Sequence, residues 1–365
     1  MAIIGERIVR REDPSLLMGT GTFIDNLALD GLAVVTYARS QVAHARVTSI
    51  DTSEAASAPG VIGVFTAADL DLGSVPLDLP MLTAPMPRPF LADGVVRYVG
   101  EPIVAIVAES KAQAEDAAER VIVDYDPLPV VIEPESALDG EVLLFPEAGT
   151  NVCFQLPSAG ADLFAECEVV VRRRITNQKV APCPIEGRVA ASRWEPDGRL
   201  THWQAGQGAH PIRDRLAAVY GMPADQIRSI SPDVGGGFGA KAFSYPEDLL
   251  LPWLARRVGR PVRYSDNRTD GMVGLGHGRG QVQHIEIGGT RDGNVLAYRL
   301  TILQDSGAYP RMGAILPFMT RLMLTGTYAI PAAECVATSV VTNTCLLYTS
   351  PSPRDISGSR MPSSA

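Results

Sequence analysis

The chain has 365 residues, room for two or three domains, and 46% of them are apolar, enough to bury a sizeable core. Its 41 acidic against 32 basic side chains leave a formal charge of −9, which argues against nucleic acid or an anionic membrane as a partner, since both call for a basic face. The five cysteines (Cys153, Cys167, Cys183, Cys335 and Cys345) are odd in number and without C-x-x-C spacing, so no disulfide framework and no iron–sulfur or structural zinc site held by this chain alone is expected, and a reducing compartment fits.

In chain order, the opening MAIIGERIVRRED meets charge too early for a secretory signal, and no apolar run approaches the roughly 18 residues of a spanning helix. The expectation is a cytoplasmic protein without a membrane span. GLAVVTYAR (31–39) reads as a strand, and residues 47–66 as strand, short helix and strand. Residues 101–127 form a β-α-β unit: IVAIVA is a buried strand, Ser110 and Gln113 make an S-x-x-Q capping box, and Ala114, Ala117, Ala118 and Val121 give the helix its apolar stripe. VIVDY returns as a strand that Pro127 ends. Residues 127–160 place five prolines among acidic and small residues and read as a linker or domain crossing.

Beyond it the pattern is again α/β. HPIRDRLAAVYG (210–221) is a short amphipathic helix with Gly221 as its C′ residue, and QIRSISPDV (226–234) is a strand. The stretch DVGGGFGAK (233–241) follows. A helix over 245–259 starts near Pro246, stops at Gly259 and is expected to bend or split at Pro252. RPVRYSD (260–266) is a strand, and 281–305 is a hairpin about a T-R-D-G turn. The residues alone leave the glycine stretch open between a tight strand-to-helix turn and a dinucleotide loop. In the second case Gly235, Gly237 and Ala240 fit G-x-G-x-x-A, with Asp266 as the later acid, although Phe238 stands where a pyrophosphate would approach.

Seven segments together carry a resemblance. REDPSLLMGTGTFIDNLALDGL, HARVTSIDTSEAASAPGVIGVFTAADL, RYVGEPIVAIVAES, NQKVAPCPIEGRVA, DVGGGFGAK, HGRGQV and DSGAYP resemble, in the right order, the molybdopterin-binding large subunit of the xanthine dehydrogenase and aldehyde oxidase family. The resemblance runs closest to the bacterial carbon monoxide dehydrogenase type. It implies an α/β (α+β) fold: an α/β hammerhead domain over 19–128, a linker over 129–139, and the first part of a molybdopterin-binding domain over 140–344. It implies oxidative hydroxylation of an aldehyde, an N-heterocycle or carbon monoxide, with water as the oxygen source. The implied cofactor is molybdopterin, in its cytosine dinucleotide form. The implied partners are an iron–sulfur small subunit (2Fe-2S) and an FAD-binding medium subunit, in a dimer of heterotrimers.

Carried onto this chain, the resemblance makes Gly236, Gly237, Phe238, Gly239 and Ala240 the cofactor-contacting loop, with the Phe238 ring drying one face. Gln207 in QAGQGAH would donate its amide to an oxo group, with Gln204 as a second candidate because Gly206 stands where the family has Thr. Lys241 is expected to be solvated rather than on a pyrophosphate. Glu186 of PIEGR falls near the substrate side or is a structural carboxylate, and Arg321 is a weaker candidate for the substrate pocket. His44, His202, His210, His277 and His284 show no ligand spacing, and no metal ligand or catalytic base is expected from this chain; the base glutamate would lie past residue 344. VVTNT (340–344) breaks abruptly into CLLYTSPSPRDISGSRMPSSA, which reads as a translated sequencing adapter, so 345–365 is expected to be non-native and the isolated chain inactive. Two other classes stay open: a nicotinamide-dependent dehydrogenase using GGGFGA, and a cofactor-free assembly module.

Overall fold

The N-terminal region builds two sheets from short, β-branched runs. Its strands are β1 (Ala33–Arg39), β2 (Ala45–Asp51), β3 (Val61–Phe65), β4 (Val95–Val96), β5 (Pro102–Ala108) and β6 (Ile122–Pro127), with helices α1 (Asp13–Leu17), α2 (Ser53–Ala56) and α3 (Lys111–Ala118). The computed structural model describes residues 4–77, 81–82 and 86–347. β5 is buried at every position, as an unbroken apolar run must be when both faces are covered, and it pairs antiparallel with β1 and β3. β4, β2 and β6 make a separate three-stranded sheet. Ser110 caps α3 by accepting from the Gln113 amide at 3.4 Å, but the Gln113 side chain takes the Ser110 hydroxyl at 2.9 Å instead of the cap N–H, so the capping box is half formed.

Residues 127–160 have elements of their own. They hold α4 (Pro134–Asp139), closed by Gly140 at φ +71°, and β7 (Val152–Leu156), and they bury Val131 and Ala137. Pro134 and Pro146 sit in the first turns of helical segments, where a missing N–H costs nothing, so the prolines do not prevent structure here. Asn343 pins this stretch: its Oδ1 accepts from Val131 N at 2.9 Å while its Nδ2 donates to Arg97 O at 2.9 Å.

The rest of the chain supplies β8 (Val169–Val180), β9 (Val189–Trp194), β10 (Leu200–Gln204), α5 (Ala209–Tyr220), β11 (Ile227–Ile230), α6 (Pro246–Val258), β12 (Val262–Ser265), α7 (Arg268–Gly274), β13 (Gly278–Gly289), β14 (Val295–Asp305), α8 (Leu316–Leu322) and β15 (Ala332–Val340). One sheet runs β7-β15-β14-β13-β8 and contains the expected hairpin. The largest runs β11-β10-β9-β12-β1-β5-β3, so β1 pairs in parallel with β12 and N-terminal strands complete a sheet begun by later ones. α6 covers β9 and β12 and buries Leu249, Leu250, Leu251, Trp253 and Leu254.

Pro252 lies inside α6 without splitting it into two elements. The Tyr220 hydroxyl donates to Leu249 O at 2.7 Å and accepts from Trp253 N at 3.0 Å, bridging the ladder where the proline interrupts it. Among the described residues, no helix is long and apolar enough to cross a membrane.

Candidate functional site

The glycine stretch leaves the end of β11, an edge strand, and crosses toward α6. Asp233 N donates to Thr22 O at 3.1 Å and Thr22 N to Asp233 Oδ2 at 2.7 Å, so the N-terminal segment steadies the approach. The backbone then enters the left-handed region at Gly236 (φ +100°), Phe238 (φ +51°) and Gly239 (φ +82°). A Cβ at Gly236 would lie 3.3 Å from the Phe238 ring, and one at Gly237 would lie 2.7 Å from Gln207 Oε1. Glycine is needed here for close approach as well as for conformation.

Gln207 and the loop meet directly. Gly239 N donates to Gln207 Oε1 at 2.9 Å, and Gln207 N donates to Lys241 O at 3.0 Å. With its oxygen engaged, the exposed carboxamide keeps Nε2 as a donor. The N–H groups of Gly236, Gly237 and Phe238 have no acceptor among the described residues. Ala240 is different: it is buried, and its N–H is taken by Gly237 O at 3.0 Å, so it backs the loop from the core. The result is a turn of left-handed backbone that carries three unengaged N–H donors, with the carbonyls of Gly236 and Phe238 also unengaged among the described residues; a run of such donors is the chemistry that seats oxygen-rich, anionic groups.

Several side chains fall elsewhere than expected. Lys241 is not solvated: it is 2% exposed, and its ammonium meets Glu186 Oε2 at 2.8 Å. Burial lowers its pKa from the usual lysine value, with Glu186 opposing. Gln204 is buried in a polar chain, accepting from Ser244 Oγ at 2.8 Å and donating to Asp248 Oδ2 at 3.4 Å, and is not available to a ligand. Arg321 is exposed in the last turn of α8, which packs on β15. His44 bonds Pro129 O and His202 bonds Ser192 Oγ, and burial pushes His202 down to about 4. Among the described residues no group of three or more His, Cys, Asp or Glu could hold a metal ion. Cys345, Leu346 and Leu347 are described, with Leu346 and Leu347 fully buried; residues 348–365 of the expected tail lie outside the described residues.

Behind the loop lies a buried ionic network that sequence reasoning missed, because its members are far apart in the chain. Arg188 donates to both oxygens of Asp266 (2.8 and 3.1 Å) and to Glu247 Oε1 (3.0 Å), and stacks 4.3 Å from the Tyr245 ring centroid. Arg39 of β1 reaches the same Glu247 oxygen at 2.9 Å and Asp270 at 3.2 Å. Burial alone would raise Glu247, but Arg188 and Arg39 hold its carboxyl far below the usual range.

Asp248 next to it has no such partner. Burial pushes it up to about 7, only partly offset by Arg188. A carboxyl raised on folding contributes fully below its unfolded pKa of about 3.9, and that contribution is lost as pH rises through its folded value. Asp248→Asn should therefore melt above the parent at about pH 8 and with it at about pH 4; calorimetry at the two pH values checks this.

The dinucleotide alternative finds no support. Residues 240–245 intervene between the glycines and α6, so no helix N-terminus meets the loop, and both Asp266 oxygens are engaged by Arg188. Fold and loop define an α/β protein in which a glycine-lined turn presents unengaged backbone donors. Residues 144–347 match the molybdopterin cofactor-binding domain, and residues 18–129 the a/b hammerhead domain of aldehyde oxidase and xanthine dehydrogenase. The chain belongs to this family of molybdenum-containing oxidoreductases.

It is 35% identical over 355 residues to the nicotine 6-hydroxylase large subunit of Paenarthrobacter nicotinovorans, covering 94% of this chain and 43% of that one. It is 33% identical over 357 residues to the carbon monoxide dehydrogenase large chain of Afipia carboxidovorans, covering 92% and 44%. The crystal structure of quinoline 2-oxidoreductase from Pseudomonas putida 86 superposes with a TM-score of 0.88 at 35% identity, over 95% of this chain and 45% of that one. The chain thus spans less than half the length of these relatives.

The residues present fit molybdopterin. A Cβ at Gly236 would press on Pro184 and the Phe238 ring and one at Gly237 on the Gln207 carboxamide, and the three unengaged N–H groups and the Gln207 amide match a cofactor whose outer atoms are mostly acceptors.

Proposed function

We propose that this chain is the N-terminal part of a molybdenum hydroxylase large subunit, which oxidises an aldehyde, an N-heterocycle or carbon monoxide with water as the oxygen source. The observation that carries this is the set of unengaged donors on Gly236, Gly237, Phe238 and Gln207, in a domain of the molybdopterin-binding family. When bound, the molybdenum pterin supplies the two-electron redox chemistry and the Lewis acidity. Gly236 N, Gly237 N and Phe238 N would hold its oxo and pterin oxygens, and Gln207 Nε2 would donate to an oxo group without adding charge. Gly239 keeps Gln207 turned the right way through its N–H, and Ala240 fixes the loop to the core. The half-buried Phe238 ring would exclude water from one side. No proton-transfer step is assigned to a side chain of this segment.

The cofactor is proposed in its cytosine dinucleotide form, with electrons leaving through 2Fe-2S and FAD partner subunits in a cytoplasmic dimer of heterotrimers. Related large subunits named for nicotine, carbon monoxide and quinoline support the substrate range. Because the chain covers under half of them, the isolated chain is expected neither to retain molybdenum nor to hydroxylate any of these compounds. Metal analysis of the purified chain checks this, and stoichiometric molybdenum would overturn it. A longer chain co-expressed with both partner subunits should carry molybdenum and release a cytosine nucleotide on acid hydrolysis. Partner capture with no pterin would overturn the cofactor assignment.

A further inference from the structure

Resting on that reading of the loop, we infer that Glu186 is a positioning residue. One of its carboxylate oxygens clasps both ends of the loop and thereby fixes the donors between them. Glu186 Oε2 accepts from Gly235 N at 2.9 Å, where the loop begins, and from Lys241 Nζ at 2.8 Å, where it ends. The backbones also pair, Glu186 N donating to Gly235 O at 3.2 Å. The fit leaves no room for a larger residue: a Cβ on Gly235 would stand 2.6 Å from Glu186 Cβ. The unengaged N–H groups of Gly236, Gly237 and Phe238 lie between the two clasped points, in backbone that glycine leaves free to rearrange.

A buried ion pair is a weak source of stability compared with well-packed apolar side chains of similar size, but it fixes geometry closely. Lys241 is 2% exposed, and Glu186 Oε1 is buried without a hydrogen-bond partner among the described residues. The oxygen that does the bonding is committed to the protein. That places the glutamate behind the loop, acting through it rather than on a substrate.

The test compares the parent with Glu186→Gln and with the double variant Glu186→Gln/Lys241→Met. The single variant leaves an unpaired buried ammonium and can fail to fold; the double variant removes both charges and keeps the fold testable. Hydrogen exchange on the full chain without cofactor reads the clasp directly. Amides over 232–243 should exchange at least about tenfold faster in the double variant, while exchange in β5 and β9 is unchanged. Unchanged exchange over 232–243 would overturn the clasp.

In the holoenzyme, the same double variant should lose molybdenum content and alter the Mo(V) electron paramagnetic resonance signal. A loosened loop with parental molybdenum content and signal would show a purely structural pair and overturn the positioning role. If the parental holoenzyme holds no molybdenum, the cofactor assignment fails, and the exchange measurement still decides the clasp.

Discussion

Arg188→Met is expected to destabilise the chain by about 3–5 kcal/mol, a large share of what holds a domain together. Arg188 is 2% exposed and is the cation shared by Asp266 and Glu247. Without it, among the described residues Asp266 keeps the hydroxyl of Tyr264 as its close side-chain donor, and Glu247 keeps Arg39 as its ion-pair partner, with Arg88 acting from farther off. Methionine fills the volume, so the loss is one of charge pairing rather than packing. Urea unfolding followed by circular dichroism measures it.

The acid limb carries a second signature. Glu247 is held below its unfolded pKa, so its contribution is present above about pH 4.5 and is lost as pH falls through the lower folded value. With Arg188 gone that folded value rises, and acid unfolding should begin at a higher pH. An unchanged urea midpoint and acid profile would contradict the network's role.

Gly237→Val acts the opposite way, on the site and not on the fold. Its Cβ would come within 2.7 Å of Gln207 Oε1 and 2.9 Å of Cδ. Gln207 is exposed, so it can swing outward at little cost to stability. In doing so it gives up the bond from Gly239 N and the direction of its amide. The expected result is an unfolding midpoint near that of the parent and a fall in molybdenum content of the holoenzyme of roughly 10–100-fold, the range seen when a group that orients a ligand is removed. Parental molybdenum content would mean that Gln207 and this loop do not hold the cofactor.

How much was legible from sequence depended on distance along the chain. The helices over 111–118, 209–220 and 246–258 announced themselves through local signals: Ser110 at a cap, Pro246 in a first turn, Gly221 and Gly259 in left-handed caps. The glycine loop was visible as composition, and its donors follow from its backbone. Lys241 was misjudged because a lysine beside a helix start is usually solvated; only the fold shows that Glu186, 55 positions earlier, waits to receive it. Gln204 and Gln207 are equivalent by spacing, and burial separates them: one faces Ser244 and Asp248, the other solvent. The Arg39–Arg188–Glu247–Asp266 cluster had no signal in sequence, since pairings between residues 59 to 208 positions apart leave no periodicity to read.

The parallel pairing of β1 with β12 sets an order of events on the ribosome. Ala33, Val34 and Val35 emerge early, but their partners Val262, Arg263 and Tyr264 are made more than two hundred residues later. At about 5–20 residues per second, that edge of β1 waits on the order of 10–45 s for its neighbour. For that time a row of N–H and C=O groups flanked by valines is open to any other nascent strand. Translation speed and chaperone supply should therefore govern the yield of folded protein more than its final stability does.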